Sequence, residues 1–268
     1  MIFQLNQIPS ETKIRKELRQ LIFGKNIKCH FCNSREAYAY ENRYRCRACR
    51  KSFSLLSGTY LKALKLSLRT LWAILWCFCN CIPGKQAMRL THLSNEAVRR
   101  AYDLFRSQIP VEYKILSRIV QLDEAFFFGK KGKALVLAKQ IGTRELAYAI
   151  HSETNLNRSH ASRFLFQNIQ PNTRLQTDGG SIYKAIDNWW PVNHRVDIHR
   201  KFQFGLTSEI EGMFGNFRTF VRRMYHHITR EKFDDYVREF CTRFSSPEMF
   251  KDPLGYLKKT IKPVPFDW

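Results

Sequence analysis

Three acidic residues in well-separated segments are of the type that holds divalent metal ions. Asp123 lies within the apolar stretch IVQLDEAFFF, Asp178 ends LQTD before two glycines, and Glu211 lies in SEIEGMFGNF. A carboxylate inside an apolar strand costs desolvation free energy unless it is paired or bound to a metal. Hard oxygen ligands favour Mg²⁺ or Mn²⁺. Such a trio supports two-metal phosphodiester chemistry, in which one ion activates the attacking hydroxyl and the other stabilises the leaving oxygen.

Two of these acids also have a purely structural interpretation. Ser208-x-x-Glu211 fits a capping box at the start of a helix predicted over Thr207 to Arg223. Asp178 before Gly179 is an ordinary turn signal. Taken alone, each segment favours the structural role. Convergence of the three carboxylates in one fold favours the metal site.

A second set of metal ligands is formed by four cysteines. The pairs Cys29–Cys32 and Cys46–Cys49 are CxxC knuckles separated by a strand-like segment rich in tyrosine. Two such knuckles predict a four-cysteine zinc ribbon, with a closed tetrahedral Zn²⁺ site that is structural because it leaves no open position. Arginines and lysines crowd the ribbon, which favours contact with DNA phosphates over a merely solvated face.

The composition agrees with a polyanionic partner. The 268 residues include 45 Lys+Arg against 23 Asp+Glu, a formal net charge of +22, and 44% hydrophobic residues. For such a charge, nucleic acid is the first candidate partner and a membrane surface is the second. No apolar run approaches the ~20 residues of a spanning helix, and the N-terminus shows no signal-peptide pattern. We therefore expect a cytoplasmic protein that faces DNA and not a membrane.

Basic side chains near these motifs are candidates for contacts to DNA. Two lie on the helix of Glu211, two follow the strand of Asp123, and two lie on the second of two short helices that resemble a helix-turn-helix. These candidates are Arg218, Arg222, Lys130, Lys131, Arg99 and Arg100. A solvated basic turn is the alternative for the lysines, and a plain helical linker is the alternative for the helix pair.

The order of predicted elements from Ile119 onward is βββαβαβα, that of a ribonuclease-H-like domain. The fold expected is therefore multidomain α+β. A zinc ribbon with an N-terminal helix occupies residues 1–62, and a helical, helix-turn-helix-like region occupies 63–115. A ribonuclease-H-like α/β domain with a mixed five-stranded sheet occupies 116–268. In such a domain the fourth strand lies beside the first, which would bring Asp178 close to Asp123.

These pieces together resemble the bacterial insertion-sequence transposases that join an N-terminal zinc ribbon to a ribonuclease-H-like DDE domain, relatives of the Merlin elements. The segments that carry the resemblance are CHFC…CRAC, SGTYL, LDEAFFFGKKGK, LQTDGGSIY, VDIH, SEIEGMFGNFR and YHHITREKFDDYVREFCTRF. The resemblance implies that Asp123, Asp178 and Glu211 are the catalytic acids. His199 maps to the histidine that closes the fifth strand. Ser208 stands where family members often carry Asn, and Arg218 where many carry Lys.

The resemblance implies a transposase that cuts double-stranded DNA at terminal inverted repeats and joins the ends to target DNA. It implies a homo-oligomer in a synaptic complex, in a bacterial cytoplasm and at the nucleoid when bound to DNA. Ser208 leaves a second possibility open, a domesticated or catalytically impaired DNA-binding derivative. A structure-selective nuclease is a third.

Overall fold

The computed structural model describes residues 8–129, 132–197 and 205–261. Its helices are α1 (Glu11–Phe23), α2 (Leu68–Cys79), α3 (Gly84–Thr91), α4 (Asn95–Ser107), α5 (Arg158–Asn168), α6 (Ser208–Tyr225), α7 (Phe233–Ser245) and α8 (Pro253–Thr260). Its strands are β1 (Ala37–Tyr40), β2 (Arg43–Cys46), β3 (Ser52–Phe53), β4 (Ile119–Phe127), β5 (Lys133–Gln140), β6 (Leu146–His151), β7 (Arg174–Asp178) and β8 (Asn193–Asp197). No helix in the described ranges is long and apolar enough to cross a membrane.

The chain forms two compact units. The first comprises Met1–Pro110 together with Glu248–Trp268, and the second comprises Val111–Pro247. The first unit thus holds the ribbon, α1 to α4 and α8, and the second holds β4 to β8 with α5 to α7. The three-part division into domains stays a prediction.

The zinc ribbon in the first unit is a three-stranded antiparallel sheet in the order β1-β2-β3. Strand alternation gives it two unlike faces. The inner face carries Tyr44 and Phe53, which are buried and pack their rings against Phe23 of α1. This aromatic cluster fixes the hairpin on the first helix.

The helices of the first unit pack around Phe78 of α2, which is fully buried. Its ring lies 5.5 Å from that of Phe105 on α4 and 5.7 Å from that of Tyr256 on α8. The hydroxyl of Tyr256 donates to the carbonyl of Phe105 at 2.5 Å. Ser67 and Ser94 cap α2 and α4 by accepting backbone N–H groups in the first turn. Helix α8 is therefore part of the core built by the N-terminal helices.

The second unit is built on a mixed five-stranded sheet in the order β6-β5-β4-β7-β8. Strands β4, β5 and β6 pair antiparallel, whereas β7 and β8 run parallel to β4. This is the ribonuclease-H-like sheet expected from the element order. It confirms that the fourth strand of the domain lies beside the first.

Helices cover both faces of this sheet. One core joins Val120, Leu122 and Val136 to α5, and the other joins Leu135 and Leu137 to α6 and α7. Neighbouring residues of β5 belong to different cores because successive side chains of a strand point to opposite faces. The almost unbroken apolar sequence of β5 is explained by burial on both sides.

Polar contacts position the first turn of α6 on the sheet. Gln121, buried on β4, accepts the backbone N–H of Ile210 with its side-chain oxygen at 2.9 Å. Lys139, beside Gln121 in the sheet register, forms an ion pair with Glu209. A buried glutamine thus satisfies one of the first-turn amides that a helix leaves unpaired. The helix carrying Glu211 is in this way anchored two residues from Asp123.

The order βββαβαβα predicts a helix between β7 and β8, and this helix is absent from the described part of the unit. The segment SIYKAIDNWW forms two short 3₁₀ turns, Ser181–Tyr183 and Ile186–Asn188. Ala185 between them has a φ of 55°, a left-handed conformation that interrupts an α-helix. The first turn places Tyr183 in the core.

Candidate active site and structural metal site

Asp123, Asp178 and Asp197 form a row at the carboxyl edge of the three parallel strands. Leu122 of β4 pairs with Thr177 of β7, so the next residues, Asp123 and Asp178, lie level. Asp178 in turn pairs with Asp197 of β8. By strand alternation Asp123 shares the sheet face of Gln121, on which α6 packs. Chain order and register therefore bring Asp123 and Asp178 together, as the sequence predicts.

A third carboxylate, that of Glu124, lies close to this pair. Oxygens of Asp123, Glu124 and Asp178 all lie within 4.8 Å of one another, the geometry of a group that can hold a cation. Sequence reasoning missed Glu124 because neighbours on a strand point to opposite faces. The available signal was an Asp-Glu pair inside an otherwise apolar strand, where a second charge needs a partner of its own.

Tyr183 fixes the Glu124 carboxylate. Its hydroxyl, fully buried, donates to Oε2 of Glu124 at 2.5 Å. The pKa of Glu124 is raised to about 7, chiefly by burial and also by the nearby charges of Asp123 and Asp178, against the opposing effect of the Tyr183 hydrogen bond. Burial likewise raises the pKa of Tyr183, with Glu124 adding to it. Three carboxylates this close repel one another, which is the electrostatic condition that a divalent cation relieves.

The raised pKa of Glu124 gives a prediction for thermal unfolding. A group whose pKa in the folded state lies above its ordinary 4.5 favours the fold at low pH, and this contribution is lost as the pH rises through about 7. We expect Glu124→Gln, which mimics the neutral form, to raise the melting temperature by a few degrees at about pH 8. At about pH 5 the two proteins should melt together.

Calorimetry without added magnesium measures this difference. Adding Mg²⁺ at the higher pH should reverse the order, since the wild type gains more from the cation than the variant does. An equal effect of Glu124→Gln at both pH values would contradict the assigned electrostatics.

Gly180 is the position where the backbone leaves no space beside these acids. A Cβ there would lie 2.9 Å from Oδ1 of Asp178 and 3.6 Å from Oε1 of Glu124. The Gly180 N–H also donates to the same Oδ1 at 3.0 Å. Gly179, the preceding residue, has ordinary space, its nearest neighbour for a Cβ being the carbonyl of Asp197 at 3.8 Å. Gly179 therefore provides a matched control for a substitution at Gly180.

We expect Gly180→Ala to weaken Mn²⁺ binding and activity by about 10–100-fold, the range typical for groups that orient metal ligands. The reason is displacement of the Asp178 carboxylate by the added methyl group. Gly179→Ala should stay close to wild type. Titration with Mn²⁺ followed by electron paramagnetic resonance checks both variants, and equal behaviour of the two would refute the role assigned to Gly180.

Glu211 lies outside this group. Among the described residues the cluster within 4.8 Å contains Asp123, Glu124 and Asp178 only. The exposed Glu211 accepts a hydrogen bond on Oε1 from the hydroxyl of Thr207 at 2.9 Å, and its N–H donates to the Thr207 carbonyl. Thr207 is the N-cap residue of α6, and Ser208 is the first helical residue, exposed to solvent. The Ser208 capping box is not formed, and Glu211 is bonded to the residue before it.

Asp197 links this helix start to the sheet. It is 3% exposed, and its Oδ2 accepts the N–H of Leu206 at 2.6 Å and lies 3.5 Å from the Thr207 hydroxyl. Thr207 therefore stands between Asp197 and Glu211. The sequence showed Asp197 only as part of the strand HRVDIH, with no signal for this role.

The predicted basic contacts are distributed over both units. Arg218 and Arg222 are exposed on α6, and the Arg218 guanidinium lies over the ring of Phe127 at 5.8 Å. Arg99 and Arg100 are exposed on α4, where Arg100 also donates to the carbonyl of Ala63. Lys130, Lys131 and His199 lie outside the described residues.

The four ribbon cysteines form a site that fits zinc. Their sulfurs all lie within 4.8 Å of one another, and the Cys29–Cys49 and Cys32–Cys46 pairs are each 3.6 Å apart. A tetrahedron with Zn–S bonds of about 2.3 Å has sulfurs about 3.8 Å apart. The pKa of Cys46 is lowered to about 7, chiefly by the N–H of Cys49 and further by the neighbouring thiols, which favours a thiolate at Cys46, whereas the pKa of Cys32 is raised by the thiols around it.

Comparison with known proteins finds the same two parts. Residues 115–245 match the family model of the ISXO2-like transposase domain, and residues 9–52 match that of the transposase zinc-ribbon domain. No curated protein matches the chain.

Two solved structures are distant matches. A simian T-cell lymphotropic virus intasome in complex with PP2A regulatory subunit B56 gamma is 12% identical, with a TM-score of 0.36 over 73% of this chain and 76% of that one. The Mos1 transposase catalytic domain with raltegravir and Mn is 14% identical, with a TM-score of 0.33 over 73% of this chain and 90% of that one.

Proposed function

The chain belongs to the ISXO2-like transposase family, and we propose from this that it binds the ends of a mobile DNA element, cuts there and joins them to target DNA. The observation that carries the proposal is the meeting of Asp123, Glu124 and Asp178 at the carboxyl edge of the sheet. A chain of net charge +22 brings this anionic site to a polyanionic substrate. The cations that the carboxylates fit are Mg²⁺ and Mn²⁺.

We propose that Asp123 and Asp178 hold the catalytic cations. Glu124, oriented by Tyr183, supplies a third carboxylate ligand. Bound there, the cations would lower the pKa of the attacking hydroxyl and stabilise the leaving oxygen. We propose that Glu211 joins these ligands from α6 once its carboxylate gives up the hydrogen bond from the Thr207 hydroxyl. Asp197 and Thr207 position that helix start, and Ser208 is the exposed residue at its edge.

The DNA strand needs cations beyond the metal site. Arg218 lies seven residues after Glu211, about 10 Å along α6, which suits a phosphate next to the scissile one. Arg222 continues the exposed basic side by one further turn. We propose that Lys130 and Lys131, which follow β4 in the sequence, also bind DNA phosphates. Arg99 and Arg100 on α4 serve the double-stranded element end, where phosphate contacts set position.

Joining two element ends to one target requires two sets of reacting groups. We therefore propose that the protein acts as a homo-oligomer on double-stranded DNA. The test is a strand-transfer assay with DNA carrying the element's ends, with and without Mg²⁺. Metal-dependent cleavage followed by joining supports a transposase. End-specific binding without cleavage would identify a catalytically impaired derivative, and cleavage without joining would identify a nuclease.

A further inference from the structure

The zinc ribbon presents a surface that the catalytic proposal does not use. In the register of β1 and β2, Tyr38 is paired with Arg45 and Tyr40 with Arg43. Arg47 follows β2 with the same alternation. We call these five side chains the ribbon outer face, and all five are exposed.

The ribbon outer face is held on a rigid support. The opposite side of the same hairpin packs Tyr44 against Phe23 and Phe53 and carries the buried ligand Cys46. A two-stranded hairpin alone is marginally stable, but a closed zinc site and an aromatic core fix its backbone. The exposed rings therefore stand at positions fixed by the strand.

Guanidinium groups alternate with the two rings. The Arg47 guanidinium lies over the Tyr38 ring, 5.3 Å from its centroid. The Arg45 guanidinium lies over the Tyr40 ring at 6.0 Å, although Arg45 is paired in register with Tyr38. Each arginine thus reaches diagonally to a ring, and planar cations stand beside planar aromatic faces.

The spacing of the rings suits nucleotides that are not stacked on one another. Tyr38 and Tyr40 are two residues apart on one strand face, about 6.6–6.8 Å. That is about twice the base-pair rise of about 3.4 Å in DNA, so a base between or over the rings must be released from its neighbours. In an intact duplex both faces of an internal base are covered, and an aromatic platform reaches only terminal or unpaired bases.

The positive charge of the ribbon outer face agrees with unpaired nucleotides as its partner. Three guanidiniums share the ribbon outer face. Elsewhere on the ribbon, Lys51 lies over the ring of the exposed Phe31 at 4.9 Å. Two exposed carboxylates flank the ribbon outer face, Glu36 just before β1 and Glu41 in the turn between β1 and β2. A groove or face that combines cations for the backbone with rings for the bases is the general form of a single-strand binding surface.

We propose that the ribbon outer face binds unpaired DNA nucleotides, with bases stacked on Tyr38 and Tyr40 and phosphates held by Arg43, Arg45 and Arg47. The inference rests on the proposed function in taking DNA as the partner. It adds that the ribbon recognises an opened or frayed DNA end, whereas contacts to duplex phosphates alone would need no exposed rings.

Binding of the full-length, zinc-loaded protein to three probes tests this inference, without added Mg²⁺ so that no cleavage occurs. The probes are a short single strand, the same sequence as a blunt duplex, and that duplex with an unpaired tail. A fluorescent adenine analogue in the unpaired region reports stacking by loss of emission. The variant is the double change Tyr38→Leu with Tyr40→Leu, which keeps apolar area but removes the rings. Its matched control is Tyr38→Phe with Tyr40→Phe.

The leucine variant should lose at least about tenfold in affinity for the single strand and the tailed duplex, and with it the emission change. Its affinity for the blunt duplex should stay within about twofold, and the phenylalanine control should resemble wild type on every probe. Zinc content equal to wild type shows that the ribbon remains folded. The inference is overturned if the leucine variant binds all probes like wild type, or if it weakens the blunt duplex as much as the single strand.

The strand-transfer assay separates this inference from the proposed function. A wild-type protein that quenches the unpaired probe but joins no ends keeps the ribbon surface and refutes the transposase reaction. A protein that joins ends but shows no stacking signal refutes the ribbon surface and keeps the reaction.

Discussion

Asp178→Asn should lower metal-dependent strand transfer by about 10³-fold or more. Metal ions contribute several kcal/mol to the stabilisation of transition-state charge, and about 1.36 kcal/mol corresponds to tenfold in rate. The neutral amide keeps the hydrogen bond from the Gly180 N–H, so the turn at the end of β7 is retained. The loss then reflects the missing charge between Asp123 and Glu124, and Asp123→Asn should behave in the same way.

The control for this change is Asp187→Asn. Asp187 is an exposed aspartate on a 3₁₀ turn of the same unit, outside the carboxylate cluster. Its variant should retain wild-type activity. Mn²⁺ binding, followed by electron paramagnetic resonance, should fall for Asp178→Asn and not for Asp187→Asn. An Asp178→Asn protein that cuts and joins DNA as well as wild type would remove the catalytic assignment.

Cys46→Ser should release the structural zinc and abolish binding to the element ends. Structural zinc contributes about 10–16 kcal/mol of apparent binding free energy in small zinc domains, which is free energy of folding. Cys46 is fully buried and lies within 3.6 Å of the Cys32 sulfur, so its loss opens the closed site. The remaining three sulfurs cannot complete the tetrahedron, and β2 loses its fixed position.

Cys81→Ser is the matched control, since Cys81 is an exposed cysteine outside the four-sulfur group. It should keep both zinc and DNA affinity. Metal analysis of the purified proteins and a gel-shift assay on end DNA measure the two properties. Retained end binding in a zinc-free Cys46→Ser protein would show that the ribbon does not take part in recognition.

The parts predicted well from the sequence are those with short-range signals. Two CxxC knuckles fix the ribbon because the ligand spacing itself defines the site. Asp123 was predictable as a site residue because a charge in the middle of an apolar strand is unfavourable unless it is paired or bound to a metal. Its closeness to Asp178 followed from the order of elements, and the parallel register of β4 and β7 confirms it.

The parts that were missed depend on contacts between distant segments. Regular strand alternation would direct Glu124 away from Asp123, and its actual orientation depends on the hydroxyl of Tyr183, 59 positions later. Asp197 has a role because Thr207 and Leu206 return to it after the end of β8. The helix expected for SIYKAIDNWW fails because Ala185 takes a left-handed conformation that helix propensity does not anticipate.

The packing of α8 has a consequence for the order in which the chain folds. In the core of the first unit, the ring of Tyr256 packs on Phe78 and Phe105, both of which are synthesised more than 150 residues earlier, Phe105 by 151 positions. On the ribosome, the N-terminal unit must wait with that core open until the whole second unit has been translated. A protease cut between α7 and α8 would therefore damage the first unit, although the cut lies at the far end of the sequence.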